Sequence, residues 1–462
     1  MIQKPTAERV LSRALETGGD FAEIYLEDTR SNALVLLNGD IERANSSHRH
    51  GAGIRVYRDL FSVYVQTTET DEAHLLEAAA RAAAAIQAGA GAAAQPLRES
   101  TCPDRHPARR LPESQESAGK ARYLREAWKA ARAVDPAVAQ VQASLTDSDK
   151  LVTICNSQGL LVTDRRVRVR LGVQAVAAEN GENQVGSQSP GALCGYELFE
   201  GRVDPAQTGA EAARIAVTML RAPACPAGEM PVAIDGGFGG VIFHEACGHS
   251  LEATAVAWGN SEFCGKLGQR IASEAVTAID DGTIENAWGS INVDDEGTPA
   301  TRLVLIENGI LKNYMVDRLN GRKMGMAPTG NARRESYAYA PTSRMRNTFI
   351  APGNTPDAEI LSTMGDGLYA RNMGGGSVNP VTGEFNFAVS EGYLVRDGKI
   401  AHPVRGATLV GRGSEILMRI DRVGPNLALA PGMCGSVSGS VPVCVGQPMI
   451  RVSRMTVGGQ QG

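Results

Sequence analysis

The sequence lacks the features that mark nucleic-acid-binding, membrane and secreted proteins. It has no unmixed basic tract, and its net charge is only −5 over 462 residues, which gives no support for nucleic-acid binding. No window approaches the roughly eighteen apolar residues of a membrane span, and residues 1–5 lead into a polar segment rather than the apolar core of a signal peptide. We therefore expect a cytoplasmic protein whose partners include neither nucleic acid nor a membrane.

A disulfide framework and tandem repeats are also missing. The eight cysteines are scattered, and no two of them form a CxxC pair, so most are expected to be buried thiols. No short unit recurs in tandem, which argues against a solenoid. With 43% hydrophobic residues the chain can bury ordinary cores, and its length favours two or three domains.

The local patterns predict an α+β fold with mainly antiparallel sheets. Strands that alternate apolar and polar residues flank Asx-Gly pairs at 38–39, 308–309 and 397–398, which predicts three hairpins. Helices are predicted over residues 6–16 (with Thr6 as N-cap), 71–88, 114–133 and 205–220.

The two halves of the chain differ in composition. The Pro-rich stretch 222–228 is interpreted as a boundary between an N-terminal domain, residues 1–224, with an antiparallel sheet and helices, and a C-terminal domain, residues 225–462, that is glycine-rich and mainly antiparallel β. Residues 89–112 have no apolar period and are predicted to form a long loop. The alternating Arg166, Arg168 and Arg170 are interpreted as the solvated face of a strand.

The sequence HEACGH at residues 244–249 ends an apolar run. Two histidines beside a glutamate are typical of zinc peptidases, in which both imidazoles reach one metal and the glutamate acts as general base. The usual spacing is four residues, whereas His244 and His249 are five apart, or about 140° around an ideal α-helix. They can share a metal only if the helix breaks or contains a π-type turn, which reduces the offset to roughly 50°. Gly248 would allow that deviation.

The ordinary interpretation of one histidine beside an apolar run is a hydrogen-bonded core residue. Two of the seven histidines flank Glu245, and a glycine-rich stretch at 236–240 precedes them, so we favour a metal site. His48 and His50 are placed in a loop without an acidic partner at ligand spacing, and we expect no functional role for them.

The sequence resembles the TldD/PmbA peptidases, often described as modulators of DNA gyrase, and specifically their TldD-like, metal-bearing branch. Besides residues 244–249, the resemblance spans nearly the whole chain and is weaker in the N-terminal half. It rests on residues 294–299 (DDEGTP), 328–331 (PTGN), 333–337 (RRESY), 346–348 (RNT), 374–376 (GGG), 390–394 (SEGYL), 433–435 (MCG), 441–443, 446–448 and 457–459, with 22–25 and 51–55 in the N-terminal half.

This resemblance implies a metallopeptidase whose C-terminal domain is catalytic. It implies Zn²⁺ bound by His244, His249 and Cys434, with Glu245 as the base that activates a metal-bound water. The expected substrates are short, unfolded or leader peptides, and the expected assembly is a homodimer or a heterodimer with a related chain. The alternative is a non-catalytic peptide-capturing or regulatory subunit in which zinc is only structural.

Two further sets of residues are left open by the sequence. Gly374, Gly375 and Gly376 form either a plain turn or a place where the backbone of an extended peptide substrate binds by strand addition. The carboxylates that orient the zinc-binding histidines remain undecided. The candidates are Asp294, Asp295, Glu296 and Glu391. Cys434 is preferred over Cys444 as the third ligand, because it aligns with the cysteine ligand of the family; Cys247 and Cys264 are further alternatives.

Overall fold

A computed structural model of the chain describes residues 2–379 and 382–459. Its α-helices are α1 (Lys4–Leu15), α2 (Glu72–Ala84), α3 (Ser117–Arg132), α4 (Pro205–Leu220), α5 (Val241–Phe243), α6 (Ala253–Val256), α7 (Arg318–Met324), α8 (Asp357–Ser362) and α9 (Gly413–Arg419). None of the helices in this part of the chain combines the length and apolar character needed to cross a membrane.

The strands mostly follow one another in runs, with the helices between the runs. They are β1 (Phe21–Leu37), β2 (Asp40–Arg58), β3 (Phe61–Thr67), β4 (Arg98–Glu99), β5 (Val138–Asn156), β6 (Leu160–Glu179), β7 (Glu182–Gln188), β8 (Gly191–Ala192), β9 (Gly228–Ile234), β10 (Ala278–Asp281), β11 (Arg302–Glu307), β12 (Ile310–Leu311), β13 (Ala332–Arg333), β14 (Thr342–Ser343), β15 (Asn347–Ile350), β16 (Gly367–Val378), β17 (Glu384–Arg396), β18 (Lys399–Val404), β19 (Thr408–Arg412), β20 (Ile420–Val423), β21 (Ala428–Ser436), β22 (Gly439–Gln447) and β23 (Ile450–Gly458).

The N-terminal half is built on one sheet of long strands in the order β3-β2-β1-β5-β6-β4. All pairs along this order are antiparallel except the short pair of β4 with β6. Apolar residues of α1 and α2 share one hydrophobic core with β1 and β2, and those of α3 and α4 share another with β5 and β6. The predicted α+β class with mainly antiparallel sheets is confirmed.

The other face of this sheet packs against the C-terminal half, which overturns one prediction. Arg166 and Arg168 are 5% and 6% exposed rather than solvated. The guanidinium of Arg166 bonds to the Asp295 carboxylate at 2.7 Å, and that of Arg168 donates to the Trp288 and Ser290 carbonyl oxygens at 3.0 and 3.1 Å. The charges are tolerated inside because partners from the second half of the chain satisfy them.

The C-terminal half contains two larger sheets. One has the order β12-β11-β10-β15-β22-β21. In the other, successive pairings of β16, β9, β23, β19 and β17 return to β16, so that these strands form a closed ring. The apolar residues of the segment 241–247 share one hydrophobic core with strands of both sheets. The segment that carries the HEACGH sequence therefore lies between the two sheets.

The three predicted hairpin turns are confirmed. Both residues of each Asx-Gly pair have positive φ, with 49° and 102° at 38–39, 48° and 80° at 308–309, and 47° and 72° at 397–398. These are the left-handed values that a two-residue type I′ turn requires, and Asn, Asp and Gly adopt them at the lowest steric cost.

One prediction about local structure is wrong and another is confirmed. Helix α1 begins at Lys4 with Gln3 at its N-cap, and the Thr6 hydroxyl instead donates to the Glu72 carboxylate at 2.8 Å. Residues 89–112 form the predicted long loop, in which the two-residue strand β4 joins the sheet and Leu97 is fully buried.

Candidate metal centre

The chain leaves the ring of strands at the end of β9, and residues 235–243 lead from there to the HEACGH sequence. A short 3₁₀ turn over Gly237–Gly240 leads into α5, and at Gly240 the chain passes close to β22. A Cβ added at Gly240 would lie 2.5 Å from the Gly446 backbone. Glycine is therefore required here to bring the start of the helix against the sheet.

The helix then widens into a π-turn over His244–Gly248. The amide of His249 donates to the carbonyl oxygen of His244, five residues earlier, and the two imidazole rings lie 5.2 Å apart at 84°. The predicted π-type turn is confirmed, and it turns both rings to the same side of the helix.

Gly248 contributes space rather than unusual backbone geometry, contrary to the sequence interpretation. Its φ of −57° and ψ of −50° are ordinary helical values. A Cβ at this position would lie 2.3 Å from the sulfur of Met345, which is fully buried. The absence of a side chain allows Met345 to pack directly on the π-turn.

Cys434 lies on β21 and faces the two histidines. Its Sγ is 3.3 Å from His244 Nε2 and 3.3 Å from His249 Nε2, and the three donor atoms all lie within 4.8 Å of one another. Zinc distances of about 2.05 Å to nitrogen and 2.3 Å to sulfur, at a tetrahedral angle, separate those two atoms by roughly 3.5 Å. The chemistry and spacing of the donor set therefore fit one zinc ion.

A buried arginine fixes the strand that carries the cysteine. Arg344 donates through Nη1 to the Ser438 hydroxyl at 3.0 Å and to the Gly439 carbonyl at 2.8 Å, and through Nη2 to the Cys434 carbonyl. It is 0% exposed. These bonds tie β21 and β22 together at their connecting turn, so the position of the thiol depends on them.

The carboxylate that orients a histidine is Glu252, which the sequence interpretation missed. Its Oε2 lies 3.1 Å from His249 Nδ1, and its Oε1 accepts a hydrogen bond from the Met345 amide at 3.3 Å. A partner on Nδ1 leaves Nε2 free to face the other donors. The spacing of three residues from His249 is the only local signal for this contact, and it depends on where the helix ends.

The four carboxylates considered from the sequence have other partners. Asp294 accepts hydrogen bonds from backbone amides of its own turn, and Glu391 binds Arg214 and Asn372. Asp295 and Glu296 pair with Arg166 and Arg55 of the N-terminal half. Burial, reinforced by the nearby Glu23 and Asp317 carboxylates, raises the pKa of Glu296 to about 8.

Burial and neighbouring charged groups shift the pKa values of the histidines and of Glu245 at this centre. Burial lowers the pKa of His244 well below its usual range, and the neighbouring His249 and Arg344 lower it further. Its Nδ1 has no hydrogen-bond partner among the described residues. Burial also lowers the pKa of His249, but Glu252 and Cys434 outweigh it and raise that pKa well above its usual range. Burial raises the pKa of Glu245, whose carboxylate lies 3.7 Å from His249 Nε2 and whose side chain is 31% exposed.

The remaining predicted positions lie away from the donors. Cys444 is buried on β22, where its amide donates to the Arg346 carbonyl at 2.9 Å. Residues 374–376 lie within β16 and not in a plain turn, although the register with β17 shifts between Met373 and Gly376. Apart from its two chain neighbours, no described residue has a heavy atom within 4 Å of a Cβ built at Gly375, so the strand surface formed by the described residues is open there.

The sequence matches three domains of one protein family: the PmbA/TldA metallopeptidase C-terminal domain over residues 227–459, the central domain over 110–220, and domain 1 over 22–86. The chain belongs to this PmbA/TldD metallopeptidase family. It is similar to the metalloprotease TldD homolog of Haemophilus influenzae, with 37% identity over 448 residues that cover 95% of this chain and 93% of the relative.

Two other proteins add to the comparison. The zinc metalloprotease TldD homolog of Saccharolobus solfataricus is 33% identical over 244 residues, which cover 53% of this chain and 54% of that one. The crystal structure of TldE from Thermococcus kodakarensis superimposes with a TM-score of 0.76 at 19% identity and covers 98% of both chains. The second likeness concerns the fold alone.

Proposed function

We propose that this chain is a zinc-dependent peptidase that hydrolyses short, unfolded or leader peptides. The observation that carries the proposal is the convergence of two imidazole nitrogens and one thiol sulfur, with Glu245 beside them. The metalloprotease names of relatives, one of them a zinc metalloprotease, support it.

The donor set suits a catalytic rather than a structural zinc. His244, His249 and Cys434 supply three protein ligands, whereas structural zinc sites have four. A zinc ion bound there supplies a Lewis acid that polarises a carbonyl group and acidifies water. The partly exposed carboxylate of Glu245 accepts the proton of the attacking water, and Glu252 holds the ring of His249 in place.

Substrate access and assembly are part of the same proposal. The backbone of an extended peptide is proposed to approach β16 at Gly374, Gly375 and Gly376, where the strand is partly open.

We further propose a cytoplasmic homodimer, or a heterodimer with a related chain of the same fold. The fold likeness to TldE supports only the existence of a chain of the same fold with which such a heterodimer could form.

Replacement of the proposed base tests the function. Glu245→Gln is expected to keep one zinc at the centre and to lower the rate of casein or peptide cleavage by about 10²–10⁴-fold, because an amide cannot accept the proton. Glu274→Gln, an exposed position in the same half, is the control and should cleave at the wild-type rate. Wild-type protein that binds zinc, unfolds when a chelator removes it and cleaves no peptide would instead establish the structural-zinc alternative.

A further inference from the structure

Two histidines outside the candidate centre lie on an exposed strand. His48 and His50 belong to β2, and not to a loop as the sequence suggested. Residues two apart on a strand point to the same side, so the two imidazoles share one face of the sheet. Residues 40–50 of β2 are all exposed, and this part of the strand pairs only along β1 in the described sheet.

An acidic residue completes the group from the neighbouring strand. Asp28 on β1 is directly opposite His50 in the antiparallel register. Its Oδ1 lies 2.9 Å from His48 Nε2 and its Oδ2 lies 3.5 Å from His50 Nδ1. The sequence offers no acidic partner at short spacing, but Asp28, twenty positions before His48 and twenty-two before His50, is adjacent to both in space.

The orientation of the second ring is fixed from its far side. His50 Nε2 lies 2.7 Å from the Thr70 hydroxyl, which leaves Nδ1 facing Asp28. Metal-binding histidines generally have such a partner on the nitrogen that does not bind the metal. One ligand atom from each of the three residues lies within 4.8 Å of the others.

The arrangement around Asp28 differs from an ordinary ion pair between one histidine and one carboxylate. His74 and Asp71 form such a pair, with one imidazole on one carboxylate at 2.6 Å. At Asp28, two imidazoles face the two oxygens of a single carboxylate, and their ring centroids are 6.2 Å apart. Arg30, opposite His48 in the register, lies 3.6 Å from Glu113, so a carboxylate offsets the charge of this neighbouring cation.

We propose that Asp28, His48 and His50 bind one divalent first-row transition-metal ion at a second site, in the N-terminal half of the chain. Two imidazoles and a carboxylate, without a thiolate, suit Zn²⁺, Co²⁺ or Ni²⁺. The three side chains are 43–52% exposed, so water completes the coordination. The bound ion links β1 to the exposed part of β2 and fixes that part of the strand.

Cobalt distinguishes the two sites in one experiment. The full chain, free of any polyhistidine tag and stripped of metal, is titrated with Co²⁺ under anaerobic conditions and followed by metal analysis and absorption spectroscopy. Wild-type protein should bind two equivalents. One equivalent gives the thiolate-to-cobalt charge-transfer band expected from Cys434, and the other gives no such band.

Variants show which residues bind the Co²⁺ equivalent that lacks the thiolate charge-transfer band. The double substitution His48→Ala with His50→Ala should remove it and keep the thiolate band, and Asp28→Asn should weaken it at least ten-fold. His74→Ala, the matched exposed histidine with a carboxylate partner, should bind two equivalents. The proposal is overturned if wild-type protein binds only the thiolate-containing equivalent, or if the second equivalent persists in the double variant. Binding of only the band-free equivalent would support this site and refute the ligand assignment of the first.

Discussion

The contact between Glu252 and His249 gives a prediction whose size follows from the structure. In Glu252→Gln the side-chain carbonyl can still accept the Met345 amide, now 3.3 Å from Oε1. The amide nitrogen that replaces Oε2, 3.1 Å from His249 Nδ1, donates hydrogen bonds and cannot accept one from the imidazole N–H. The ring therefore loses the acceptor that orients Nε2 towards Cys434.

Loss of such a partner typically weakens metal binding by about 10–100-fold, or about 1.4–2.7 kcal/mol. We expect this loss for Glu252→Gln. The assay is competition for Zn²⁺ with a chromophoric chelator, carried out in the variant without His48 and His50 so that one site is read. Glu391→Gln removes another buried carboxylate, which binds Arg214 and Asn372 rather than a histidine, and it should leave zinc affinity unchanged. Affinity within two-fold of the parent in Glu252→Gln would refute the orienting role.

Three further predictions concern packing, ligand choice and pH. Gly248→Ala places a methyl group 2.3 Å from the buried sulfur of Met345. This crowding should lower the free energy of unfolding by about 1–3 kcal/mol. Gly375→Ala, where the added methyl group meets open space, should leave the denaturation midpoint nearly unchanged. Cys434→Ala should abolish binding of zinc at the centre and peptide cleavage together, while Cys444→Ala should retain both; cleavage by zinc-free Cys434→Ala would count against the assignment. Because the folded state raises the pKa of Glu296 from 4.5 to about 8, its contribution to stability is present at low pH and is lost as the pH rises through that window. Between pH 4.5 and about 8, the denaturation midpoint should fall less in Glu296→Gln than in the wild-type protein. An equal fall in both proteins would contradict the assignment of this pH dependence to Glu296.

The features that could be predicted from the sequence are those fixed by a few neighbouring residues. The hairpin turns follow from Asx-Gly pairs, because few other residues adopt two successive positive φ values at low cost. The π-turn follows from the five-residue spacing of His244 and His249, since no regular α-helix brings both rings to one metal. The domain boundary near residue 224 stays a prediction.

The features that could not be predicted depend on contacts between residues that are far apart in the sequence. Arg166 and Arg168 have the alternation of a solvated strand, and only the carboxylate and carbonyl groups of the C-terminal half make their burial possible. Similarly, the pairing of Asp28 with His48 and His50 depends on the register of two long strands. A sequence pattern identifies which side chains share a face, but not what covers that face.

The geometry around the bound metal tests the central claim most directly. Zinc X-ray absorption of the His48→Ala, His50→Ala protein, loaded with one equivalent of Zn²⁺, should show two imidazole nitrogens at about 2.0 Å and one sulfur at about 2.3 Å. The same measurement on protein that also carries Cys434→Ala should show no sulfur. A first shell without sulfur in the loaded parent, or a sulfur distance that survives Cys434→Ala, would contradict a centre built from His244, His249 and Cys434.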